Sequence, residues 1–154
     1  MDKLEELETK IKELSEEIER LKAEKENESW KPKNGDKYWL RSHTGYVVQV
    51  RWMGDEAEDD IYAIGNVFRT KEEAEFRAEQ LKVEAELRRF ARPFDRDEEN
   101  WVINYDVDDN AIIIFRYHTV QCCNIHFPSK EIAQKAIDTV GEERIKKYYF
   151  GVIN

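Results

Sequence analysis

Long apolar runs are missing from this chain. Among its 154 residues the longest is five, Ala111 to Phe115, far short of the ~20 that cross a bilayer as a helix. The opening Met1-Asp2-Lys3-Leu4-Glu5-Glu6 has no apolar h-region, so no signal peptide is expected. Cysteine is scarce: Cys122 and Cys123 are the only two, and adjacent residues cannot build a disulfide framework. A cytoplasmic, reducing location is the expectation. Basic residues are outnumbered, 25 Lys and Arg against 34 Asp and Glu, a net charge of −9. Attraction to nucleic acid would therefore have to come from a local patch. There is no Gly-rich phosphate loop, no nucleophile elbow and no His–carboxylate–nucleophile set. No catalytic residue and no cofactor are expected, and the chain reads as non-enzymatic.

Residues 1–29 lack aromatics, glycine and proline altogether. Their apolar residues are Leu4, Leu7, Ile11, Leu14, Ile18 and Leu21, spaced 3, 4, 3, 4, 3. That is a heptad seam with Leu4, Ile11 and Ile18 at a and Leu7, Leu14 and Leu21 at d. The remaining positions are mostly Glu and Lys, which favour helix. So narrow a stripe must be buried against something. Ile at a with Leu at d favours a parallel pair. Charge leaves the direction open. Lys3 meets Glu8 and Glu17 meets Lys22 in a parallel pair; Lys10 meets Glu17 and Lys3 meets Glu24 in an antiparallel one. A coiled-coil homodimer is the expectation, with a helix folded back on its own domain as the alternative.

Pro32 and the Asn34-Gly35 turn end this helix. An internal repeat follows. In its first half, Tyr38–Arg41 and Tyr46–Trp52 read as strands, Gly54–Asp60 as a solvated acidic loop and Ile61–Ile64 as a short third strand. A helix then opens at Phe68-Arg69-Thr70-Lys71-Glu72-Glu73-Ala74. In the second half, Trp101–Tyr105 and Ala111–Tyr117 are strands, a short third is expected around Cys122–His126, and Phe127-Pro128-Ser129-Lys130-Glu131-Ile132-Ala133 opens a helix ending near Gly141. The two openings lie 59 residues apart. Thr70 and Ser129 are N-cap residues, and Glu73 completes a capping box that Ile132 cannot. The expected class is α+β: a coiled-coil helix over 1–29, then two tandem β-β-β-α units over 30–94 and 95–154.

Four groups of residues are candidates for a site. Asp55, Glu56, Glu58, Asp59 and Asp60 form an acidic knob that could compete for a basic groove on a protein partner; as a plain loop they would simply be solvated. Trp39 and Trp52, with Arg88, Arg89 and Arg92, could make an aromatic and basic surface for nucleic acid, although core packing and helix-surface ion pairs explain the same residues. His118, Cys122, Cys123 and His126 are metal-capable types. Adjacent strand residues point to opposite faces, however, so no metal site is expected. Asp106–Asn110 resembles the start of a calcium loop, but Ala111 stands where Gly is needed, and a hairpin turn accounts for it.

Two resemblances bear on function. Trp30-x-Pro32-x-x-Gly35-Asp36-x-Tyr38-Trp39, together with Gly65-Asn66-Val67-Phe68-x-Thr70-x-Glu72-Glu73-Ala74, resembles small uncharacterised proteins of phages and prophages of Firmicutes. The likeness covers most of residues 30–90. It implies a mobile-element origin and action on host machinery or defence. A small sheet followed by Phe-x-Thr70-Lys71-x-Glu73-Ala74 is similar to the arm-type DNA-binding domains of tyrosine-recombinase integrases, which implies DNA reading by a sheet. The expected function is a dimeric, phage-derived protein–protein interaction module that inhibits a host defence nuclease, anti-CRISPR-like, by occlusion. A DNA-binding accessory protein and a virion or assembly component are the alternatives. The expected partners are a second copy and a host protein; a membrane is not expected.

Overall fold

Helix formers without a break should give one uninterrupted rod, and in the computed structural model they do. The structure describes residues 2–28, 30–118 and 125–153. The rod is α1, Lys3–Glu28. After it come the antiparallel strands β1 (Lys37–Arg41) and β2 (Val47–Arg51), then α2 (Glu56–Ala63) and α3 (Lys71–Arg88). A second antiparallel pair, β3 (Asn100–Asp106) and β4 (Ala111–Tyr117), precedes α4 (Lys130–Val140), the short α5 (Glu142–Arg144) and a π-helical turn, Ile145–Tyr149. The class is mixed helix and sheet, with two small two-stranded sheets.

The expected third strands are where sequence and structure part. Ile61, Tyr62 and Ala63 belong to α2, and the stretch read as a solvated loop opens that helix. Asp55 is its N-cap: the carboxylate accepts from the Glu58 N–H at 2.9 Å, and Glu58 accepts from the Asp55 N–H at 3.3 Å. This capping box decides the segment against the strand preference of Ile61 and Tyr62. In the second half the expected strand includes Cys122 and Cys123, which lie outside the described residues. His126 and Phe127 make only single bridges, to Arg92 and Trp101.

Those bridges have a counterpart. Trp39 and Phe68 exchange two backbone hydrogen bonds, at 2.9 and 2.8 Å, and Trp101 and Phe127 exchange two, at 3.0 and 2.8 Å. In each case the tryptophan lies on a hairpin's first strand, and the phenylalanine stands two residues before a hydroxyl N-cap. Thr70 accepts from the Glu73 N–H at 3.2 Å while Glu73 returns bonds to the Arg69 and Thr70 N–H groups. Ser129 accepts from the Ile132 N–H at 3.2 Å, and Ile132 has no carboxylate to return. Thr70→Ala is expected to cost about 1 kcal/mol, measured by urea unfolding.

The main core gathers Val83 and Leu87 of α3, Ile103 of β3, Ile125 and Phe127, the inner face of α4 (Ala133, Ala136, Ile137 and Val140) and Ile145. The first half of α3 lies against β1 and β2, while its second half joins this core. The sequence assigned each sheet its own covering helix; instead, one helix serves both halves. Arg144 fastens α3 to the C-terminal segment through two hydrogen bonds to Glu86, at 2.9 and 3.0 Å. A smaller buried nucleus sits under the first hairpin, where Tyr38 and Trp52 pack edge-on at 5.4 Å between ring centres.

Candidate interaction surfaces

The six apolar residues of α1 form one stripe, and the described part of the chain does not cover it. Their exposure runs from 50% at Leu7 to 64% at Ile11. A helix folded back on its own domain would have hidden them. The flanks of the stripe carry charge pairs along the helix, Arg20 with Glu17 at 2.6 Å and Lys22 with Glu19 at 3.0 Å. Such exposed pairs contribute little and can be exchanged for others.

The acidic candidates divide. Asp55 and Glu58 serve the fold. The Glu58 carboxylate is buried and gathers the N–H groups of Met53 at 2.8 Å, Gly54 at 2.7 Å and Asp55 at 3.3 Å, with the Tyr38 hydroxyl at 3.3 Å. Burial alone would raise its pKa; the converging donors outweigh that and hold it below the usual carboxylate range. Asp59 pairs with Lys31 at 2.7 Å. Glu56 and Asp60 stay exposed on α2. Between α3 and β3, Asp95 accepts the Asp97 N–H at 2.9 Å and Glu99 pairs with Arg116 at 2.8 Å.

The aromatic and basic candidates do not gather into one surface. Trp52 is buried against Tyr38, so its ring has no face left for a base. Trp39 is half-buried with the Lys71 ammonium 5.9 Å above its ring. Arg92 holds the structure together, donating to the carbonyls of Pro93 and Glu99 and to the Asn100 side chain at 2.6–3.1 Å. Arg88 pairs with Glu84 at 2.8 Å. Arg89 is exposed at the end of α3.

Of the metal-capable residues, Cys122 and Cys123 lie outside the described residues and His118 is exposed. His126 is buried, its ring 5.5 Å from that of Phe94, and its Nε2 has no hydrogen-bond partner among the described residues. Burial, and secondly the charge of Arg92, push its pKa below the ordinary 6.5. The unfolded chain then takes up a proton before the folded one does. Stability is expected to fall as pH drops from 6.5 toward the lowered value. Melting temperatures of the wild type and His126→Leu across that range check it: the variant should lose this part of the slope.

Asp106–Asn110 forms a hairpin turn, with the Asp106 carboxylate accepting from the N–H groups of Asp108 and Asp109 at 3.0 and 3.2 Å. Among the described residues no helix is long and apolar enough to cross a membrane. No family model, no curated protein and no solved structure matches the chain.

One concave feature escaped the sequence reading. It lies where α1 meets the segment around Pro32 and is lined by Trp30 and several lysines. In the sequence Trp30-Lys31-Pro32-Lys33 stood for the end of a helix and the start of the phage-protein resemblance, not for a pocket. The alternation of cation and aromatic at that boundary was the available signal.

Proposed function

We propose that the chain is a non-enzymatic interaction protein that pairs with a second copy through α1 and presents a doubled body to a protein partner. The observation that carries this is the uncovered seam: six apolar residues in heptad register on a 26-residue helix, each at least half exposed. Apolar stripes of this kind mark association surfaces. The occupant that fits is the same helix from another copy, because both flanks then meet opposite charge in either direction. Three heptads make a marginal coil, so the pair dissociates on dilution. Light scattering over a concentration series tests it. The mass should approach twice that of the chain at high concentration and fall toward one chain at low concentration.

The body is read as two copies of one unit, a hairpin bridged by its tryptophan to a phenylalanine before an N-capped helix. The matching Trp39–Phe68 and Trp101–Phe127 bridges, each followed by a hydroxyl cap, support the duplication. Its partner is proposed to be a basic protein surface such as the groove of a phage-restricting nuclease, and its origin a phage or prophage. The support is the net charge of −9 and the exposed carboxylates of Glu56 and Asp60. Glu56→Lys with Asp60→Lys leaves the capping box intact. It should weaken capture of such a partner at low salt, and a partner retained equally by this variant would overturn the acidic-contact reading.

A further inference from the structure

The pocket at the foot of α1 is basic in an acidic protein. Lys22 and Lys25 reach it from α1, Lys31 and Lys33 from the following segment, and Arg69 from just before α3, around the half-buried indole of Trp30. It is open and holds about 590 Å³, within the size range of small-molecule sites. Two acids also line it, Glu26 and Asp36. The Asp36 carboxylate is already turned to the Lys33 N–H, at 2.8 Å. Five cations against two anions leave this wall positive, although the chain as a whole is negative.

We propose that this pocket binds a nucleotide phosphate with its base stacked on Trp30. Cations beside an aromatic face are the combination by which proteins hold unpaired nucleotides: the charges take the phosphates and the ring takes a base. An acidic peptide would use the charges and leave the indole idle. The surrounding negative field repels an extended polyanion, so the ligand is a free nucleotide or the phosphorylated end of a single strand. Lys22 can be recruited because its present pair is exposed. Lys22 contacts Glu19 at 3.0 Å on the helix surface, and a multiply charged phosphate displaces such a contact at small cost. Lys31 is also exposed but has more neighbours. It pairs with Asp59 at 2.7 Å and lies 5.0 and 5.5 Å over the rings of Tyr62 and Trp52. The site adjoins the end of the α1 seam, where the apolar stripe stops at Leu21 and Lys25 takes the first a position after Ile18.

The experiment follows the four indole N–H signals of the full chain by proton–nitrogen correlation, with Trp30→Phe identifying the Trp30 signal. The probes are ATP, a 5′-phosphorylated thymidine tetranucleotide, the same tetranucleotide without the phosphate, and octaglutamate. ATP or the phosphorylated tetranucleotide should shift the Trp30 signal and leave the buried Trp52 signal in place. Affinity should fall about tenfold between roughly 50 and 200 mM salt. Lys25→Glu with Lys33→Glu should abolish the shift while the melting temperature holds. A response to ATP alone assigns the free nucleotide; tighter binding of the phosphorylated tetranucleotide assigns a strand end. The proposal falls if no nucleotide moves the Trp30 signal at low salt. It falls equally if octaglutamate moves it as strongly as ATP, or if the double charge reversal leaves the shift unchanged.

Discussion

Leu14→Asp is expected to turn the protein into a monomer at every accessible concentration. Leu14 sits at a d position in the middle of the seam, and 62% of its surface is free in the single chain. A parallel pair would place two copies of it in one layer, and an antiparallel pair would place them in adjacent layers. Removing two well-packed leucines costs about 2–5 kcal/mol each, and the substitution adds two carboxylates that repel each other in a dry layer. The dissociation constant should rise at least about a hundredfold. The body should be untouched, because among the described residues the seam stays at least half exposed, so near-ultraviolet circular dichroism and the melting of the body should match the wild type. Sedimentation velocity reads the outcome. A wild type that sediments as a single chain at high concentration would remove the proposal of a paired α1, and a variant still dimeric would move the interface elsewhere.

Glu58→Ala should be the most damaging single change in the body. One carboxylate collects three backbone N–H groups and a hydroxyl at 2.7–3.3 Å. Its loss leaves those donors unmatched beside the Tyr38–Trp52 nucleus and opens the N-terminus of α2. The melting temperature should fall by roughly 5 °C or more. Glu58→Gln, which keeps one acceptor oxygen, should recover part of it. The pair also sets the pH limits. A carboxylate held below its ordinary 4.5 contributes stability that is complete above that value and lost as pH falls through the lowered one. Tyr38 is the opposite case. Burial first, and the Glu58 charge second, push its hydroxyl from 10.0 up to about 12. Its contribution is complete below pH 10 and drains away as pH climbs from 10 toward 12. Tyr38→Phe should flatten that alkaline limb in a pH series of melting temperatures.

What could be read from the residues was whatever rests on local periodicity and caps. The α1 seam follows from spacing alone, the two hairpins from β-branched runs around turns, and the starts of α3 and α4 from Thr70 and Ser129. The error at Ile61–Ile64 had a local cause as well. Asp55-x-x-Glu58 carries the same capping logic as Thr70-x-x-Glu73, but five acids in six positions masked it as a charge cluster. Other features were beyond reach because they depend on tertiary placement. Nothing in the spacing tells that Glu58 turns inward to Tyr38, that Trp52 loses its ring faces, or that Arg69 joins Lys22 and Lys25 at Trp30 from a distant part of the chain.

The division of labour along α3 has a mechanical outcome. Ala74 and Ala78 are buried on a helix that packs against β1 and β2, whereas Val83 and Leu87 further along it are immersed with Ile103, Phe127 and Ile137. A cut anywhere in residues 93–99 would therefore not release two autonomous modules. The fragment keeping α3 would bare two large aliphatics, and the other would lose the plug of its interior. The later half leans on the earlier one's α3, so unfolding that helix should unravel both.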